Sequence, residues 1–175
     1  MNPSQAKSIP ELVELAAKLY GDKISIEDKD KSLSFKQLHE ESDKVFYSLL
    51  SFGINQGDRV GIWAPNQHEW ILAAIGILKV GAILVPINTR LKGEEAGYIL
   101  EKSSVKLLFT MENFLGINYA EILDKKRLKN LKKIILFDKQ SGEDSWSHFL
   151  DITINKTQTN LKESYQDLIA DIIFT

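Results

Sequence analysis

Cysteine is missing from this sequence altogether. Disulfides, thiolate metal sites and cysteine nucleophiles are therefore excluded, and a reducing compartment suits the chain. Long apolar runs are missing too. The longest, Ile71 to Leu78 (ILAAIGIL), has eight residues, against the roughly 18–20 that a membrane-spanning helix needs. The N-terminus, MNPSQAKSIPELVELAAKLYGDK, carries acids inside an amphipathic helical pattern and lacks the basic-then-apolar layout of a signal peptide. Neither charge sign dominates: the formal net charge is -2 and the pI about 6.0, which gives no global attraction to nucleic acid or to an anionic membrane. The expectation is a soluble, cytoplasmic domain.

The motifs of familiar chemistry are absent as well. There is no Gly-x-Ser-x-Gly elbow, no Gly-x-Gly-x-x-Gly and no P-loop ending in Gly-Lys-Ser/Thr. The three histidines, His39, His68 and His148, stand at no metal-ligand spacing, so no metal site is expected. No internal repeat or low-complexity segment is present.

What is there is ordinary globular composition, 43% hydrophobic and 26% charged over 175 residues, enough chain for one domain with a real core. Ser8 with Glu11 reads as a capping box, opening a helix that carries Ile9, Leu12, Val13, Ala16, Leu19 and Tyr20 at helical spacing and stops at Gly21. Lys23 to Glu27 alternates as a strand, Asp28 to Ser32 turns it, and Leu33 to Phe35 returns as a small β-hairpin. Ser34 and Gln37 form a second capping box, for a helix with Leu38, Val45, Phe46 and Leu49 on one face that ends at Gly53.

Beyond Gly53 the rhythm changes. Arg59–Ala64, Ala82–Ile87, Lys106–Thr110 and Lys133–Phe137 are short, nearly continuous apolar strands. Between them the pattern predicts helices from Asn66 to Gly81 (with Asn66 and Glu69 as caps), Glu94 to Ser103 and Tyr119 to Asn130. Apolar strands alternating with amphipathic helices predict an α/β domain: a doubly wound, mostly parallel sheet with helices on both faces. Ser141 to Asp167 is polar, with one short amphipathic turn at Trp146, Phe149 and Leu150, and the rest reads as a linker or surface loop. Leu168 to Thr175 (LIADIIFT) reads as one further buried strand. The expected division is one unit over 1–167 and a lone strand over 168–175. That strand either folds back on its own sheet or packs against a second copy as a homodimer contact.

Few side chains invite a functional reading. Lys125, Lys126, Arg127, Lys129, Lys132 and Lys133 are six basic residues in nine. They suit an anionic partner, either a membrane face or the phosphates of CoA. They equally suit a solvated helix end whose cations meet the negative pole of the dipole, which is the default reading. Trp63 and Trp70 read as core, and Asn66 as a helix cap. Composition and periodicity alone stop at an α/β domain with no visible active site.

Four segments in register say more. LSFKQL (Leu33–Leu38), GINQGDRVGIWAPNQHEW (Gly53–Trp70), LKVGAILVPINTRL (Leu78–Leu91) and GEEAGYILEKSSVKLLFT (Gly93–Thr110) together resemble the adenylate-forming superfamily of acyl-CoA synthetases, luciferases and peptide-synthetase adenylation domains. The wording of Gly81–Leu91 and of FLGINY (Phe114–Tyr119) resembles acyl-CoA synthetases for fatty or similar acids. In that family a strand like DIIFT (Asp171–Thr175) leads into a Gly-rich loop that holds the phosphates of ATP.

The resemblance therefore implies an N-terminal portion of an ATP-dependent acyl-CoA synthetase that uses ATP, Mg²⁺ and CoA when complete. Thr175, as first residue of the phosphate loop, is the one site residue carried over, and the 175 residues alone are expected to be inactive and to bind no cofactor. A non-catalytic interaction module, half of a split enzyme, and an unrelated flavodoxin-like binding domain are the alternatives.

Overall fold

The computed structural model describes residues 3–29, 31–151 and 165–175; residues 152–164, most of the expected linker, lie outside the described residues. Helix α1, Ile9–Tyr20, is capped by Ser8, whose Oγ accepts from the Glu11 N–H. The Glu11 carboxylate turns instead to the Lys7 N–H at 2.8 Å, so the reciprocal half of the box is made one residue upstream. Only Pro10, Val13 and Ala16 of this helix are buried. Ile9, Leu12, Leu19 and Tyr20 are exposed, because α1 lies on the outside and touches the body along one narrow stripe.

Strands β1 (Ile24–Asp28) and β2 (Lys31–Ser34) form the antiparallel hairpin, with Asp28 opposite Lys31, so the turn is tighter than the five polar residues of the sequence suggest. Ser34 ends β2 and caps α2, Phe35–Ser51, with both bonds of the box in place.

The second sheet has four parallel strands: β3 (Arg59–Trp63), β4 (Ile83–Pro86), β5 (Leu107–Thr110) and β6 (Lys133–Leu136), in the order β4-β3-β5-β6. Residue alternation splits their side chains between two cores. Val60, Ile62, Leu84, Leu107, Phe109 and Ile135 face one core, with α1, α2, α3 (His68–Val80) and α5 (Trp146–Leu150). Trp63, Val85 and Leu108 face the other, beneath α4 (Gly93–Lys102) and the chain around Tyr119, Leu123 and Leu128. This is the doubly wound α/β arrangement that the alternating pattern predicts.

Helices α2 and α3 cross closely at Gly76, whose Cα sits against Val45. Lys79 crosses the same contact. It is buried, and its Nζ donates to Ser42 Oγ (2.8 Å), Asp43 Oδ1 (2.7 Å) and His39 O (3.2 Å). Burial holds its pKa below the usual lysine value, against the opposing pull of the Asp43 carboxylate.

Three expectations need correction. Residues 119–130 form successive turns, not a helix. Asn118 Oδ1 accepts from the Glu121 N–H and Asp124 Oδ1 from the Lys126 N–H, and such side-chain bonds compete with helical ones. Helix α3 starts after Gln67, with no side-chain cap bond from Asn66 or any neighbour. The tail, Leu168–Thr175, is not a buried strand. It joins the outer edge of β4 through one parallel bridge, Leu84 with Asp171, made by Leu84 N–H to Ala170 O and Ile172 N–H to Leu84 O, each 2.9 Å. Ile172 and Phe174 pack inward, while Ile169 and Ile173 are exposed at 64% and 66%.

Candidate functional site

In open α/β sheets ligands bind beyond the carboxyl ends of the strands, at the point where strand order reverses. Here that point lies between β3 and β5, and it is closed. Thr110 Oγ1 donates to Trp63 O at 2.8 Å, and Gln67 Nε2 reaches Met111 Sδ at 3.4 Å. The opening lies one strand over, beyond β3 and β4.

There a groove of about 520 Å³ is lined by Ala64, Pro65, Asn66 and Trp70 on one side and by Pro86 to Thr89 with Leu91 on the other. Its second wall is built from within. Trp63, fully buried, stacks on Tyr119 with ring centroids 4.2 Å apart. The indole Nε1 donates to Asn88 O (3.2 Å) and the Tyr119 hydroxyl to Thr89 O (2.7 Å). Two aromatic donors thus hold the backbone of the β4–α4 loop in place, and burial pushes the Tyr119 hydroxyl pKa up. Trp63 is core as read from sequence. Trp70 is half-buried and lines the groove, and Asn66, freed of any capping role, is an exposed groove residue.

The tail completes the groove. Its parallel bridge to Leu84 carries the chain toward the carboxyl end of the sheet, so Ile173 and Phe174 enter the lining. Thr175 stands in an adjoining hollow of about 480 Å³ with Leu91, Glu94, Glu95, Tyr98, Ile99, Arg127 and Phe174. Two hydroxyls, of Thr175 and Tyr98, and one guanidinium facing two carboxylates do not form a cradle for a triphosphate, and Arg127 is already paired with Glu101 at 3.1 Å. The described residues therefore do not fit ATP by themselves.

Sequence reading missed one polar cluster. The Asp28 carboxylate, at the end of β1, accepts from both the backbone N–H (2.9 Å) and Nδ1 (3.0 Å) of His68. It thus caps α3 from 40 residues away, a relation no local pattern reveals. These bonds hold the Asp28 pKa below the usual carboxylate range. Glu69 Oε1 lies 2.8 Å from His68 Nε2, without the alignment of a hydrogen bond. The three ligand-type groups gather within 4.8 Å. The two ring nitrogens point away from each other, so the carboxylates flank the imidazole on opposite edges rather than converging with it on one ion. A histidine between two carboxylates also lacks the all-oxygen shell that Mg²⁺ prefers. The cluster fastens the hairpin to α3.

His39 lies against Lys79 and Asp43, and His148 is exposed on α5. Of the basic run, Arg127 pairs with Glu101 and Lys133 with Asp144 (2.6 Å). Lys125, Lys126, Lys129 and Lys132 are exposed, with no ion pair among the described residues. The run lies on turns, so no helix dipole accounts for it.

The sequence model of the family described as AMP-binding enzyme matches residues 13–175. Crotonobetaine/carnitine–CoA ligase of Salmonella heidelberg is 35% identical over 167 residues, covering 91% of this chain and 32% of that protein. A methyl-dioxo-octahydroindenyl propanoyl:CoA ligase of Rhodococcus jostii is 35% identical over 140 residues, covering 79% of this chain and 27% of that one. An anthranilate CoA ligase solved with anthranoyl-AMP superposes with a TM-score of 0.67 at 27% identity, over 78% of this chain and 27% of that one. A long-chain-fatty-acid-CoA ligase from Archaeoglobus fulgidus shares the fold, with a TM-score of 0.80 at 23% identity over 96% of this chain and 34% of that one. The chain spans about a third or less of the length of these relatives.

Proposed function

Because this chain belongs to the AMP-binding enzyme family, we propose that it is the N-terminal part of an ATP-dependent acid–thiol ligase working in the cytoplasm. In the complete enzyme the carboxylate of a fatty or related acid attacks the α-phosphate of ATP, with Mg²⁺ present, and pyrophosphate leaves. The sulfur of CoA then attacks the acyl carbon of the acyl-adenylate, and AMP leaves. The observation that carries this reading is the match over residues 13–175, with the 35% identity to crotonobetaine/carnitine–CoA ligase across 91% of the chain. The relatives' acids are chemically diverse, so the substrate class proposed is a carboxylic acid and not one acid in particular.

The part played by these residues is positional. A rigid parallel sheet carries the tail along β4, and Thr175 arrives beside the groove beyond the strand ends, where a phosphate-binding loop would begin. Catalytic groups are proposed to come from residues other than these. The exposed Ile169 and Ile173 favour a second polypeptide surface over the tail, supplied by the rest of the same enzyme, by the other half of a split enzyme, or by a second copy. The basic run, Lys125 to Lys133, is a separate candidate, for a peripheral membrane contact. The test of the main reading is carboxylate-dependent pyrophosphate release with ATP and CoA. The 175-residue chain alone is expected to match the enzyme-free blank, and a rate above it would overturn the positional role.

A further inference from the structure

The loop between β5 and β6 carries a feature that the fold does not need. Phe114 and Ile117 exchange both backbone hydrogen bonds, at 3.0 and 3.1 Å. They close a two-residue turn in which Leu115 has φ +53° and Gly116 φ +78°. A turn with both central residues at positive φ favours Asn or Asp before Gly, and a leucine there is strained. Leu115 is nonetheless at the tip, 83% exposed, with Ile117 and Ile122 at 44% each. The loop is not loose. The Asp138 carboxylate accepts from the N–H groups of Glu112 and Asn113, each at 2.7 Å, and Tyr119, Ala120, Leu123 and Leu128 are buried against the sheet. The exposed residues follow the crossover from the carboxyl end of β5, at Leu115, back to the start of β6, where the Lys132 N–H donates to Lys106 O. The same segment holds the basic run, six cations against Glu121 and Asp124 between Leu115 and Lys133.

We propose that residues 114–133 form a docking surface for an anionic lipid bilayer, in which Leu115, Ile117 and Ile122 enter the interface and Lys125, Lys126, Lys129 and Lys132 meet the headgroups. Apolar side chains beside unpaired cations are the pairing that such surfaces use. The hollow of about 320 Å³ in this segment is lined by Lys125, Lys132 and Lys133 against Asp144, which suits an anionic headgroup, and the exposed Leu115, Ile117 and Ile122 need no complementary shape in a bilayer. The inference does not rest on the ligase reading, and binding is measured without ATP or acid, so either can fail alone.

The experiment is co-sedimentation of the 175-residue chain with mixed phosphatidylcholine–phosphatidylserine vesicles, using pure phosphatidylcholine vesicles as the uncharged control. Partition onto the mixed vesicles alone, weakening with salt, is expected. K125Q/K129Q should lower it roughly 30-fold, at about fivefold for each lysine near the surface. Leu115→Asn should lower it roughly four- to tenfold, the return of about half a leucine burial, with a melting temperature equal to or above that of the parent, since Asn suits the turn. That pairing of weaker binding with undiminished stability is what a merely structural leucine does not give. Equal partition onto both vesicle types, no partition, unchanged partition of Leu115→Asn, displacement by inorganic phosphate alone, or capture by soluble polyglutamate in place of vesicles would each overturn the proposal.

Discussion

A single methyl group at Gly76 tests the crossing of α2 and α3. A Cβ there would lie 2.3 Å from Val45 Cγ1, 2.6 Å from Val45 Cβ and 3.2 Å from the Phe46 backbone N. Two effects oppose each other in Gly76→Ala. Alanine favours the helix by about 1 kcal/mol over glycine. Overpacking a close contact costs about 1–3 kcal/mol, and the upper part of that range applies because the atoms in the way cannot swing aside. Val45 is β-branched and stiff at χ1, and Phe46 N is backbone. Carbon contacts relax to roughly 3.5–4.0 Å, so the helices must part by about 1 Å. The net expectation is a loss of about 1–2 kcal/mol, read as a fall in melting temperature of roughly 2–8 °C for a chain of this size. Val45→Ala alone removes two buried methyl groups, about 1.6 kcal/mol of transfer free energy. The double variant should be more stable than the sum of the two losses predicts, by about 1 kcal/mol, because the smaller residue 45 makes room. A Gly76→Ala protein that melts at or above the parent, or a double variant additive within about 0.5 kcal/mol, would refute the close crossing.

Other expectations follow from the same contacts. Asp28→Ala removes the remote cap of α3 and should cost about 1 kcal/mol at neutral pH. Because the folded Asp28 pKa lies below its ordinary 3.8, that stabilisation is fully present above 3.8 and is lost as pH falls through the lower folded value. The melting-temperature gap between parent and variant should thus be constant above that point and close below it, and a gap that instead widens on acidification contradicts the assignment. Asn66→Ala should change stability by less than about 0.5 kcal/mol, whereas a true capping residue would show about twice that loss. Gly93→Ala would place a Cβ 2.3 Å from Ile122 O, and hydrogen exchange should rise across residues 118–124. Deleting residues 165–175 removes the Tyr165 bond to Lys79 O and the edge pairing on β4, and the melting temperature should fall; an unchanged value would mean the tail is not docked.

The sheet was legible because each parallel strand, covered on both faces, is a short apolar run between turn residues. Val60 to Trp63 and Leu107 to Phe109 are such runs, and all are buried. The turns at 119–130 misled for an instructive reason. Tyr119, Leu123 and Leu128 are buried as their spacing suggests, but Asn118 and Asp124 bond nearby backbone N–H groups and divert the chain from the helix. The cap of α3 was illegible because its carboxylate arrives from the hairpin. The tail was over-read as buried because its composition is apolar throughout, whereas an edge position covers only alternate residues, Ile172 and Phe174 but not Ile169 and Ile173. Of the candidate site, Thr175 came from resemblance alone. The groove wall held by Trp63 and Tyr119 depends on residues far apart in sequence, and the exposure of Leu115 depends on a turn whose central residue is the wrong type for it.

The central claim is that these residues belong to an acyl-activating ligase and deliver the start of its phosphate loop. Its most direct test is carboxylate-dependent exchange of pyrophosphate into ATP. The assay compares the chain alone with a graft of residues 1–175 in place of the matching N-terminal third of the Salmonella crotonobetaine/carnitine–CoA ligase, folding being checked by circular dichroism. Exchange at the blank level for the chain alone and above it for the folded graft is the predicted result. Exchange by the chain alone, or a folded graft that supports none, would contradict the account.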